Sequence, residues 1–517
     1  MKFDKIIIVG GGSAGWMTAA TLIKTFPNKD ITVIESPNVP IVGVGESTLS
    51  FIKNWTKYLE IDDKEFLSGT NGIYKLSIKF TDFYKKGEAF HYPFGAVDLK
   101  DNNNDMNDWW YKKSFYPETP NSDYADSMFP IMSLVNNDKL FYNENEELPE
   151  FNFDKDTAYH FDAVKFGTWL KDNYCLPRGV KHIQEDIHDI KQDENGIVSL
   201  NGKHKADLYV DCTGFKALLL DKTLKEPFES LEGMLPNNKA WAVRVPYVDK
   251  EKELKPYTNC TALGNGWVWN IPLWDRVGTG YVYSDKYITD EEALKEFKTH
   301  LNRKDVDKLE FRNLTMRTGI HKRLFVKNVV GIGLAAGFIE PLESNGLYTV
   351  HEFLMYLVKN LQREKISQWD KDNYTFECKK TFRNFAEFVG LHYALSHRDD
   401  TKYWRDHMNR QWSENLITLT PKFTHGYLSA AIDRNDDHRF PATGGLHCIS
   451  AGMNWGPTDR TKLSYHTRMS ETEFKNKYKY FIDRLEIRKK EWDKIVENKP
   501  SYINFLKENI YYENSTS

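Results

Sequence analysis

The stretch that most restricts how this chain can fold is its beginning, "KFDKIIIVGGGSAGWMTAATLI": a short β-branched strand, a glycine turn, then the small and apolar residues of a helix. Gly10, Gly12 and Gly15 are spaced G-x-G-x-x-G, and twenty residues past Gly15 the next apolar segment, "DITVIES", carries Glu35 near its end. Each part has a physical task. Glycine lets the backbone close on a pyrophosphate. The helix start, with Ser13 and Ala14 in its first turn, offers unpaired N–H groups and a partial positive charge, and the acid accepts hydrogen bonds from a ribose diol. Strand, turn, helix and acid together predict a dinucleotide-binding α/β core.

Two later segments return to the pattern. "ADLYVDCTGF" pairs an apolar strand with a glycine turn, and "KNVVGIGLAAGFIEPLESNG", which contains Gly333, is strand, glycine turn and helix start. Such returns suit a flavin-binding core assembled discontinuously over residues 1–350, with substrate-binding sheet inserted at about 80–160 and 220–310. No second G-x-G-x-x-G follows, so no dedicated nicotinamide domain is expected. "IQEDIHDIKQDENGIVSLNG" alternates around Asn195-Gly196 and predicts a hairpin. Beyond residue 350, "HEFLMYLVKNL" and "FRNFAEFVGLHYAL" repeat apolar residues at three and four, which predicts a mainly helical region over 351–517 that completes the substrate pocket. "KDNNNDMND" reads as a surface loop.

Composition narrows the partners. The 517 residues carry 70 basic and 74 acidic side chains without a long single-sign run, so no nucleic-acid footprint is present. The five cysteines are scattered and show no Cys-x-x-Cys, and nowhere do eighteen apolar residues follow one another. A soluble cytoplasmic protein in a reducing compartment, with no membrane partner, is the expectation.

Three segments could carry chemistry. "YKLSIKF" alternates, with Tyr74, Leu76, Ile78 and Phe80 on one face and Lys75, Ser77 and Lys79 on the other; periodicity alone does not choose between the lysines. "EPLESNG" sets Glu340 and Glu343 before a helix starting near Leu347, so that the N–H groups of Asn345 and Gly346 can cradle a small anion. "GWVWNIP" puts Trp267 and Trp269 on one side of a strand. His392, His397 and His407 do not share an i, i+4 helix face; they are read as ordinary helix residues, and no metal is expected.

Taken in order, "GGGSAGW", "GVGEST", "IKF", "GWVWNIP" and "FIEPLESNG" resemble the flavin-dependent tryptophan halogenase family, with looser similarity in "LHYALSHRDDTKYWR" and "MNWG". The resemblance implies a Rossmann-type FAD-binding core of the PHBH/glutathione-reductase kind, with an inserted sheet and a helical C-terminal part. It implies a two-component enzyme in which reduced FAD from a separate flavin reductase, O2 and a halide such as chloride or bromide yield hypohalous acid. That oxidant halogenates an electron-rich aromatic, and any self-assembly expected is a homodimer. By the same resemblance, Lys79 holds the oxidant beside the substrate and Glu343 assists activation or removes the ring proton. Asn345 and Gly346 bind halide, with Asn where the family more often has Thr. Trp267 and Trp269 line the passage between flavin and substrate. Gly45, Glu46 and Ser47 of "GVGEST" contact the flavin, and His91, Tyr92, Phe94 and Trp455 surround the aromatic ring, with His91 and Tyr92 both open as the contact. The segment "GGLHCISAGMNW" has neither Tyr nor Glu, so an indole, a phenol or a carrier-bound aromatic stands beside free tryptophan as substrate. A flavin monooxygenase and a non-catalytic protein of the same fold are the competing readings.

Overall fold

The computed structural model describes residues 3–39, 43, 45–98, 108–408, 443–456 and 470–512. The predicted loop at "KDNNNDMND" lies outside the described residues except for Asp108, which begins a helix. The N-terminal strand Lys5–Val9 is central in a six-stranded sheet ordered Phe325–Val326, Val329–Gly331, Leu208–Asp211, Lys5–Val9, Asp30–Glu35, Lys181–Gln184. All neighbours pair parallel except the first two strands. Ile6, Ile7, Ile8 and Val9 are all buried, as a parallel strand covered on both faces requires, which is why the segment reads as a continuous β-branched run. Helix Ser13–Thr25 covers one face and buries Trp16, Met17, Leu22 and Ile23.

A seven-stranded sheet stands beside this core, ordered Arg312–Thr315, Lys239–Val245, Val277–Tyr283, Gly266–Pro272, Tyr257–Ala262, Ser77–Thr81, Ala89–Pro93. It is antiparallel except where Tyr257–Ala262 meets Ser77–Thr81. The alternation over residues 74–80 does not form one strand. Ile73–Lys75 joins a small sheet with Ala158–Phe161 and Glu46–Ser47, the chain breaks at Leu76, and Ser77–Thr81 enters the large sheet. The Leu76 N–H donates to the Pro256 carbonyl and its own carbonyl accepts from Phe94, so a distant loop holds the break. The two lysines consequently belong to different sheets.

The predicted hairpin is present as Ile190–Asp193 and Gly196–Leu200, with Gly196 at φ +130°. Helices Gly346–Leu361 and Gln368–Ala394 pack on each other, the second opened by a Ser367–Asp370 capping box. Helix Thr443–Gly452 lies across strand Ala89–Pro93 so tightly that a Cβ on Gly445 would sit 2.7 Å from Tyr92 Cζ, and one on Gly452 2.2 Å from Phe90 Cγ. Arg488 of helix Glu471–Val496 donates to the carbonyls of Ser127 and Asp98 and ties this helix to the chain on either side of helix Asp108–Phe115. Among the described residues no helix is long and apolar enough to cross a membrane.

Candidate active site

The glycine turn fits a dinucleotide. A Cβ on Gly10 would strike the Cys212 carbonyl oxygen at 2.3 Å and one on Gly15 would strike the Gly10 carbonyl at 1.9 Å, whereas one on Gly12, the residue capping helix Ser13–Thr25, would meet nothing within 4 Å. Backbone packing thus requires two of the glycines, and the third leaves the helix start open on the side where a phosphate would approach. Glu35 closes the neighbouring strand with Oε1 2.8 Å from His182 Nε2, and its other oxygen faces Gly11. Gly333, at φ +65°, packs against Ala14 of the same helix start. Gly45, at φ +148°, lies against Ile271 of the tryptophan-bearing strand.

The second half of the site is a buried cluster around Glu343. A 3-10 turn Pro341–Glu343 and Ser344 in left-handed backbone (φ 56°) lead into helix Gly346–Leu361. Glu343 is fully buried; burial raises its pKa, although His392 and Lys75 oppose the shift. His392 Nε2 lies 2.9 Å from Glu343 Oε1, and His392 Nδ1 lies 3.3 Å from the Phe388 and Val389 carbonyls of its own helix. Nδ1 faces the helix carbonyls, so Nε2 is the ring nitrogen turned to Glu343. The rings of Phe80, Phe83 and Phe388 enclose the imidazole.

The lysine at this cluster is Lys75. Its Nζ donates to the Thr48 carbonyl and to Ser344 Oγ, both at 2.8 Å, and lies 5.0 Å from the Phe94 ring centre. Burial lowers its pKa to about 7, against the raising influence of Cys260 and Glu343. Lys79 is elsewhere. It pairs across strands with His91, and its Nζ lies 5.9 Å from the Tyr257 ring. His91 bonds Ser77 Oγ through Nδ1 at 3.0 Å, and burial, then Lys79, push its pKa down to about 3. Lys79 and His91 therefore share the face of the sheet away from Glu343. Tyr92, the next residue, turns to the Glu343 side with Phe94 and Phe388. Lys79, the lysine expected from the resemblance, does not reach this cluster: the break at Leu76 sends Ser77–Thr81 into the large sheet with Lys79 beside His91, and leaves Lys75 beside Ser344. His392 is likewise no ordinary helix residue.

Trp267 and Trp269 do share one face, with ring centres 6.2 Å apart at 60°. Both are buried, and the Trp267 indole N–H donates to Glu340 Oε2 at 3.0 Å, an oxygen that also accepts from Asn237 and Tyr393. Asn345 precedes the first turn of helix Gly346–Leu361, whose opening N–H groups have no acceptor within the helix, and its side-chain amide donates to the Ile339 carbonyl. Glu46 approaches the same turn: a Cβ on Gly346 would lie 3.9 Å from Glu46 Oε2. Ser47 Oγ lies 2.9 Å from Ser344 Oγ. Trp455 follows helix Thr443–Gly452 and packs against the main core.

Comparison with known proteins gives the class: a flavin-dependent halogenase, an enzyme of electrophilic aromatic halogenation. The chain belongs to the tryptophan halogenase family, whose model matches residues 5–467. It is 34% identical over 432 residues to tryptophan 6-halogenase SttH of Streptomyces toxytricini, covering 79% of this chain and 81% of that protein. To tryptophan 7-halogenase RebH of Lentzea aerocolonigenes it is 32% identical over 490 residues, covering 88% and 90%. The solved apo structure of VirX1 superposes with a TM-score of 0.89 at 36% identity, over 99% of this chain and 100% of that one. The monooxygenase and non-catalytic readings are not favoured.

Proposed function

We propose that this chain is the halogenating component of a two-component system, binding FAD reduced by a separate reductase and acting on a small electron-rich aromatic of indole or phenol type. The observation that carries the reading is the burial of Lys75 and Glu343 in one cluster. When bound, the reduced flavin supplies with O2 the two-electron oxidant that turns halide into hypohalous acid. The chain's own residues do the rest. Gly12 and the start of helix Ser13–Thr25 receive the pyrophosphate and Glu35 the ribose, while Gly45, Glu46 and Ser47 border the flavin. The N–H groups at Asn345 and Gly346 hold the halide, and Trp267 and Trp269 keep the aromatic substrate away from the flavin. Lys75 takes the role expected of Lys79: its Nζ holds the hypohalous acid by a charge-assisted hydrogen bond or as a haloamine. Glu343, beside His392, polarises the oxidant or accepts the ring proton. Tyr92, Phe94 and Trp455 are assigned to the ring. The relatives' names point to tryptophan, but "GGLHCISAGMNW" offers no Tyr or Glu for an amino-acid end, which supports a substrate without one.

Mass spectrometry of an indole and phenol panel, including tryptophan and carrier-bound forms, tests this with a flavin reductase and chloride, bromide or iodide. Halogen isotope patterns in indoles or phenols are expected. Oxygenated products without halogen would overturn the reading.

A further inference from the structure

A chain of hydroxyl groups leads from Lys75 into the interior. Ser344 Oγ, 2.8 Å from Lys75 Nζ, is 2.9 Å from Ser47 Oγ; Ser47 Oγ is 2.6 Å from Thr258 Oγ1, and Thr258 Oγ1 is 2.8 Å from His160 Nε2. These groups come from strands Ile73–Lys75, Glu46–Ser47, Tyr257–Ala262 and Ala158–Phe161 and from the turn before helix Gly346–Leu361. All five side chains are buried, so no bulk water competes for the hydroxyls. An ammonium group only donates, so Ser344 accepts from Lys75. When the proton of a neutral His160 sits on Nδ1, Nε2 presents a lone pair, and the chain then runs from Ser344 to Ser47, from Ser47 to Thr258 and from Thr258 to His160 Nε2. Burial, and then Lys75, hold the pKa of His160 well below its usual value, which keeps the ring neutral.

We propose that His160 and Thr258 are positioning residues for halogenation: through Ser47 and Ser344, their ordered chain holds Lys75 Nζ in place and sets how much of Lys75 carries its proton. The inference rests on Lys75 being the reactive amine. A hydroxyl that donates onward is a better acceptor, so three in series favour the ammonium form against the burial that opposes it. The other titratable groups acting on Lys75 are Glu343, itself against His392, and Cys260, whose thiol burial keeps protonated; Phe94 adds its ring face. Cutting the hydroxyl chain should therefore lower the Lys75 pKa, whichever protonation form the reaction uses.

The test uses Thr258→Val, which keeps the shape and removes the hydroxyl, with Thr258→Ser as the conservative partner. One measurement is the pH profile of single-turnover halogenation with chemically reduced FAD, oxygen, saturating bromide and a substrate found in the panel, run in a Glu46→Gln background because burial raises Glu46 to about 7 as well. Thr258→Val is expected to move the near-neutral midpoint down by about 0.5 to 1 unit, the size of one lost hydrogen bond, and Thr258→Ser to restore it. The other is 15N NMR of histidine-labelled protein without flavin, where the signals missing from His160→Gln should be those of a neutral ring protonated at Nδ1. A slower Thr258→Val with an unmoved midpoint, or a His160 protonated at Nε2, overturns the inference. Parental halogenation by Lys75→Met would instead remove the reading beneath it, and it is told apart because the NMR result does not depend on turnover.

Discussion

Lys75 and Lys79 differ in what surrounds them, and the difference is measurable. Lys75→Met is expected to keep flavin binding and lose halogenation. If Nζ contributes only a charge-assisted hydrogen bond, the loss is about 1.5 to 3 kcal/mol, roughly ten- to 150-fold in rate, and a far larger loss indicates a covalent haloamine. Lys79→Ala, on the opposite face beside Tyr257, should leave turnover unchanged. For Glu343→Gln the expected fall is about 10² to 10⁴, read on a substrate whose ring chemistry limits the rate; near-parental turnover would count against proton transfer at Glu343. The residue types of this site were legible in the sequence, but the choice between the two lysines was not. Alternation assigns faces only within an unbroken strand, and the contacts that break it, at Pro256 and Phe94, lie far from residue 76 in sequence. His392 was hidden for a similar reason, since its partner Glu343 is on another element.

At the scale of elements, the strand Glu46–Ser47 meets the start of helix Gly346–Leu361, and the charge state of Glu46 follows from that meeting. Burial raises Glu46 from 4.5 to about 7. Between those values the native chain keeps a proton that the unfolded chain has released, so Glu46 makes stability fall as pH rises through this window. Glu46→Gln should flatten the decline of melting temperature between about pH 5 and pH 8. The same proton bears on the halide: a neutral carboxyl tolerates an anion at the helix start, and an ionised one repels it. The bromide concentration for half-maximal single turnover is expected to rise as the pH passes about 7, and to rise much less in Glu46→Gln. Elements with local signals, the glycine-turn strand and helix, the Asn195-Gly196 hairpin and the tryptophan strand, were readable because their determinants lie within a few residues. The parallel pairing of Tyr257–Ala262 with Ser77–Thr81 was not, because nothing local to either strand encodes a partner some 180 residues away.

For the whole molecule, one glycine fingerprint accounts for one dinucleotide. NADH or NADPH with the purified chain and FAD should give little halogenated product until a flavin reductase is added, whereas chemically reduced FAD under oxygen suffices; rapid flavin reduction by the chain alone would overturn the two-component reading. The complete molecule is also where the assigned aromatic-binding region is closed, since strand Ala89–Pro93 and helix Thr443–Gly452 meet only in the folded chain. Gly445 and Gly452 stand where Tyr92 and Phe90 leave no room for a side chain. For anyone reshaping this enzyme's substrate range, those two positions are a floor: any replacement takes space away, so a catalyst for bulkier arenes has to be sought by trimming Tyr92 or Phe94 and leaving both glycines as they are.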